Sequence, residues 1–222
     1  ASDVYRRQFL DNLGYSNATL PSKNAVIPII YYVYNKDCDQ SIVKPTFSDE
    51  DRKNIVKWLN LSLIKGVFGG QSDSVLKKIR DVIKEESTCH FPFDRIVKAF
   101  ETDPAKNYSL DHAFIHSILL EQYGSPTATL VLQLLYQDKV LRYGKAVAQD
   151  HMHPRAVFED PSRLSALNLS TEQAEFFTNP QNYNSVLNLQ LLESSENASK
   201  NDVSLADWVQ SRGLRNYELL VE

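Results

Sequence analysis

The stretch "FSDEDRKNIVKWLNLSLIKGVFGG", residues 47–70, limits the fold more than any other. Ile55, Trp58, Leu59 and Leu63 fall three and four positions apart, which lines one face of an α-helix but not one face of a strand. Ser48 stands where an N-cap belongs, with Asp51 three residues on, and Gly69-Gly70 marks the end. The pattern then recurs. "SDSVLKKIRDVIKEES" sets Val75, Ile79, Val82 and Ile83 on one face, with Ser72 or Ser74 as cap. "PFDRIVKAFE" and "SLDHAFIHSILLEQYG" read as further helices, and "TATLVLQLLYQD", apolar nearly all round, predicts a buried one. Upstream, "NAVIPIIYYVYNKD" is a continuous apolar and aromatic run whose period fits a buried strand or a buried helix. Pro28, early enough for a helix's first turn, tips it to helix. A mainly α protein follows, with a helical bundle over residues 1–137.

After residue 137 the texture changes. "KVLRYGKAVAQDHMHP" mixes β-branched residues with Gly144 and stops at a proline. "LSTEQAEFF" predicts a short helix capped by Ser170 and Gln173, "NPQNYNS" a loop, and "VLNLQLLE" a strand with Asn188 in its middle. "SLADWVQSRG" predicts a last helix, capped by Ser204 and Asp207 and stopped by Gly213. Residues 138–222 thus form a second region.

Composition narrows the function classes. In 222 residues, 42% hydrophobic and 23% charged content suffices for a real core. No apolar run reaches about 18 residues, so no membrane span is predicted, and "ASDVYRRQFLDNLGY" lacks the apolar stretch of a signal peptide. Cys38 and Cys89 belong to no CxxC pair, which argues against a cysteine-built zinc site and for reduced thiols in a cytoplasmic protein. A net charge of -4 does not favour a broad nucleic-acid face. Any DNA contact must rest on a bound cation with a few local Lys and Arg, or on another domain.

Two of the chain's five histidines crowd into "DHMHP", residues 150–154. Hydrolysis of a phosphodiester needs a divalent cation against the developing charge and a base near neutrality to take a proton from water. Asp150 offers a carboxylate and Asn197 an amide carbonyl, the hard oxygens that a magnesium-type ion prefers. In an extended segment His151 points opposite to Asp150, so one can face water while the other faces the ion. Asn188 inside an apolar strand is costly unless its amide is bonded, for example to the loop that carries the histidines.

Asp-His-x-x-Pro, a later Asn in "NLQLL", and "ENASK" together resemble an HNH nuclease, the ββα-metal or His-Me finger fold. The closer likeness is to the C-terminal part of GmrSD-type modification-dependent restriction enzymes and their phosphorothioate-sensing relatives. There, helical sequence like "FGGQSDSVLKKIR" and "EQYGSPTATLVLQLLY" precedes the motif. The likeness is loose over the helices and specific over residues 149–208. It implies a small ββα-metal nuclease motif after the bundle, acting on DNA with Mg²⁺ or Mn²⁺ as cofactor. By the same resemblance Asp150 and Asn197 hold the metal, His151 is the general base, and Asn188 orients the loop. Arg155 and Lys200 touch phosphate, and His153 either supports the ligands from behind or reaches the scissile phosphate. One such site cuts one strand, so a nick is expected, or a double break from a homodimer. The relatives also carry an N-terminal ParB-like sensor domain that this sequence lacks, so the chain reads as a C-terminal piece or a partner subunit. Leu187 replaces a glycine frequent in the relatives.

Other features read as structure. His112 and His116 have zinc spacing but no HExxH glutamate, and with His90 they are expected to be partly buried helix residues. Trp58 and Tyr31, Tyr32 and Tyr34 are expected in a core rather than on a base-stacking platform. Two rivals to the Mg²⁺ nuclease follow. One is a transition metal on His151 and His153, as in colicin-type toxins; the other is a non-catalytic helical interaction module docking to a sensor domain or partner protein.

Overall fold

A computed structural model describes Leu10, Tyr15 and residues 20–35, 49–88, 90–136 and 147–213. The chain is mainly helical with one small antiparallel sheet, and it forms two compact units, Ala1–Asp111 and His112–Glu222. The division falls ahead of the 137/138 change in texture. The reason is packing: helices 112–119 and 126–135 lie against the 3₁₀ turn before the second strand, and 126–135 also lies against that strand.

In the first unit, a 3₁₀ turn (Lys23–Val26) leads into α1 (Ile27–Asn35), followed by α2 (Asp49–Ile64), α3 (Ser72–Glu85) and α4 (Phe93–Ala99). The run around Pro28 is therefore helical, as its position favours. Ile55, Trp58 and Leu59 are buried with Ile79, Ile83 and Ile96, as the helical period requires. The Trp58 indole N–H donates to Tyr108 Oη at 3.0 Å, and the Tyr32 hydroxyl donates to Asp51 Oδ2 at 2.6 Å, so both aromatics belong to the core. Of the other two tyrosines, Tyr31 is half-buried and Tyr34 is exposed.

Three local details differ from the sequence expectation. First, α2 stops at Ile64 because Gly66 takes φ 58°. Val67 N–H then closes on Ser62 O at 3.0 Å and Gly66 N–H on Leu63 O at 3.1 Å, a Schellman ending before Gly69. Second, α3 begins after Gln71, with no side-chain cap, and the Ser74 hydroxyl instead donates to Gln71 O at 2.9 Å. Third, His90 is exposed. Ser48, Cys38 and Cys89 lie outside the described residues.

In the second unit come α5 (His112–Leu119), α6 (Pro126–Leu135) and β1 (Val147–His151). Four short helices follow: α7 (Arg155–Glu159), α8 (Pro161–Ser165), α9 (Thr171–Thr178) and α10 (Pro180–Tyr183). A 3₁₀ turn (Val186–Asn188), β2 (Leu189–Glu193), α11 (Ser194–Lys200) and α12 (Leu205–Ser211) complete it. The strands pair antiparallel, with Asp150 opposite Gln190 and His151 opposite Leu189. Leu189 and Leu191 pack on Ala128 and Leu132 of α6, while Leu192 packs with Trp208 and Val209 of α12. Helices thus cover both faces of β2, which explains an apolar run without alternation.

Helix ends in this unit follow the sequence closely. The Ser125 hydroxyl caps α6 with Pro126 at its first position, and Ser170 with Gln173 forms a full capping box on α9. Ser204 accepts from Asp207 N–H at 3.1 Å, and Gly213 ends α12 at φ 67°. "PQNY", within the segment read as a loop, is a helical turn capped by Asn179. On α5 no side chain is buried, so His112 and His116 are exposed rather than partly buried. Among the described residues, no helix is long and apolar enough to cross a membrane.

Candidate functional site

The site is built from β1, the loop after it, and α11. Asp150 is buried on one side of β1, and the next residue, His151, is half-buried on the other, as extended backbone dictates. Met152 N–H donates to Asn188 O at 2.8 Å, which carries the strand pairing one step into the loop. There Asn188 takes over with its side chain. Its Oδ1 accepts from His153 N–H at 2.9 Å, while its Nδ2 donates to His153 O at 2.9 Å and Tyr183 O at 3.0 Å. One carboxamide therefore satisfies both backbone polar groups of His153, and the loop holds a single course into Pro154. The strand begins only after Asn188, because the side chain does here what a ladder would otherwise do.

His151 is gripped on two sides. Its Nε2 lies 2.9 Å from Asn184 Oδ1, and its ring stacks on Tyr123 with centroids 4.9 Å apart and planes at 21°. Burial lowers its pKa from the ordinary 6.5; Asn184 and Asp150 pull the other way, and Arg155 and Lys200 add to the lowering. His153, exposed as a whole residue, is lowered too, by desolvation of its ring and then by the Lys200 charge. Both imidazoles are thus biased to the neutral form, the form that accepts a proton.

Asp150 has company that its sequence neighbours do not reveal. Lys200 Nζ lies 2.9 Å from Asp150 Oδ2 and donates to His151 O at 2.7 Å, and Gln190 Nε2 donates to the same Oδ2 at 2.8 Å. The Lys200 side chain is 0% exposed. Its ammonium neutralises a buried carboxylate and ties α11 to β1, so it presents no charge to a DNA backbone; the phosphate contact expected of it does not hold in this arrangement. Arg155 is 60% exposed and shares its guanidinium with Glu159 at 3.2 Å, which leaves it open to an outside anion.

Asn197 sits within α11, three residues before Lys200. That helix starts on the Glu193 carboxylate, which accepts from Ser195 N–H at 3.1 Å and Glu196 N–H at 3.3 Å. Residues three apart share a helix face, so Asn197 stands one turn from the lysine that reaches Asp150. Asp150 Oδ1 accepts no hydrogen bond among the described residues.

The donor set suits a hard cation in kind: one carboxylate oxygen without a protein partner and one amide carbonyl, with water and phosphate to complete an octahedron. Lys200 sets a condition. With the carboxylate already neutralised, an ion must draw part of its hold from phosphate oxygens. Among the described residues no group of three or more His, Cys, Asp and Glu could hold a metal. His151 and His153 thus have no further side chain of those types placed to hold a transition metal with them among the described residues.

Sequence reasoning missed Asn184, Tyr123 and Gln190. "NYNS" was visible as a polar turn, but nothing local tied it to His151. No family model and no curated protein matches the chain.

Proposed function

We propose that the second unit is a metal-dependent DNA endonuclease of the HNH type, its β1–β2–α11 arrangement serving as a ββα-metal motif. The observation that carries this reading is the Asn188 carboxamide, which fixes the loop behind Asp150 and His151 through both polar groups of His153. Gln190 and Lys200, distant in sequence, meet Asp150 beside His151, which supports a built site at this end of β1. His151 would take a proton from water. The water oxygen attacks phosphorus as the bond to the 3′ oxygen breaks, and that oxygen takes a proton from solvent, leaving a 5′-phosphate and a 3′-hydroxyl. Asp150 and Asn197 would hold Mg²⁺ or Mn²⁺, whose charge offsets the negative charge growing on the phosphate. Arg155 would steady the DNA backbone, and a ParB-like sensor domain on a partner or longer chain would bring the DNA, in keeping with a restriction role against phage.

A second reading, a non-catalytic docking module, has one observation in its favour. The buried Lys200–Asp150 pair gives both residues a structural reason to exist. Supercoiled plasmid separates the two. The wild-type chain is expected to convert it to nicked circle with Mg²⁺ or Mn²⁺ and not with EDTA. Plasmid that stays supercoiled with either ion, also when a sensor domain is supplied, would favour the docking module.

A further inference from the structure

We infer that Asn184 and Tyr123 are positioning residues for His151, holding its imidazole as the tautomer with hydrogen on Nε2 so that Nδ1 is the atom that accepts the proton. The inference rests on the endonuclease reading only for what the free nitrogen then does.

The geometry comes from two segments far from the histidine in sequence. Residues 121–124 and 184–186 run antiparallel beside β1: Tyr123 N–H donates to Asn184 O at 2.7 Å, Val186 N–H donates to Glu121 O at 2.9 Å, and Gln122 bridges Ser185. This brace presents a ring face from one segment and a carboxamide from the other. Gln149 ties the brace to β1, its Oε1 accepting from Gly124 N–H at 2.8 Å. Asn184 is itself fixed, its N–H donating to Pro180 O at 3.1 Å. A carboxamide oxygen only accepts, so its partner Nε2 must carry the hydrogen. In a neutral ring the lone pair then belongs to Nδ1. Tyr123, 51% exposed, covers one face of the ring and opposes its rotation.

Nitrogen NMR of the ¹⁵N-histidine-labelled full chain at a pH where the ring is neutral reads the tautomer directly, whether or not the protein cuts DNA. The wild type is expected to show His151 as one tautomer with hydrogen on Nε2. Asn184→Leu, which has no acceptor, is expected to mix the two forms and to slow nicking roughly 10- to 100-fold at little-changed KM. Asn184→Asp, which keeps an acceptor there, should restore the single form. A wild-type His151 with hydrogen on Nδ1, or as an even mixture, overturns the inference without any variant having to fold. A locked ring in a chain that never nicks DNA supports the positioning role and sinks the endonuclease instead.

Discussion

His151→Ala is expected to lower metal-dependent nicking by roughly 10²- to 10⁴-fold, the usual contribution of a positioned general base. No other group in the site can readily take over. Asp150 bonds Lys200 and Gln190, and His153 lies past the strand end with its backbone fixed by Asn188. The folded state should survive, because the ring gives up one hydrogen bond and one stacking contact. The pH profile carries a second signature. Burial depresses the His151 pKa below 6.5, so the neutral base persists into mildly acid solution and the rate should fall with a midpoint under that value. Stability has the same sign. As pH drops through 6.5 the unfolded chain takes the proton first, and whatever stability this group contributes above that pH is lost. An acid limb centred above 6.5 would mean that the rate depends on some other group.

Lys200→Met should be the most damaging change to the second unit's stability, about 3–5 kcal/mol. The cost is not the loss of an attraction as such. It is that the Asp150 carboxylate, buried on β1, would be left with only Gln190 to meet it. At about 2–4 °C per kcal/mol, the melting temperature should fall on the order of 10 °C. Adding Asp150→Asn removes the stranded charge and should recover part of the loss, whereas two independent sites would simply add their costs. Unchanged melting for Lys200→Met would show that the pair does not form in solution. In the proposed enzyme the lysine would also shape the chemistry, since a neutralised carboxylate would hold a metal ion weakly until phosphate joins the site.

Much of the fold was legible because helices announce themselves. Ile55, Trp58 and Leu59 are buried at the spacing that predicts it, and Ser170 with Gln173 forms the capping box that its letters spell. Exposure was harder. His112 and His116 read as partly buried, yet α5 turns no side chain fully inward. Within the site, Asp150, His151 and Asn188 could be placed together once the segments that carry them are read as two paired strands. Lys200 could not: a lysine in "ENASK" looks like surface, and the Asp150 carboxylate that draws it inside lies far upstream, beside the His151 carbonyl 49 residues away that it also bonds. Asn184 and Tyr123 escaped notice for the same reason. Their work depends on two loops pairing across the fold, and no period or motif records such a pairing.

Manganese broadening tests most directly whether a cation sits between Asp150, Asn197 and His151. With histidine resonances of the full chain assigned, Mn²⁺ added beside a short DNA duplex should broaden His151 well before exposed His90, His112 and His116, and Asp150→Asn should abolish that preference. Uniform broadening of all the histidines, or none at His151, would contradict a metal site there and leave the strand pair a structural element.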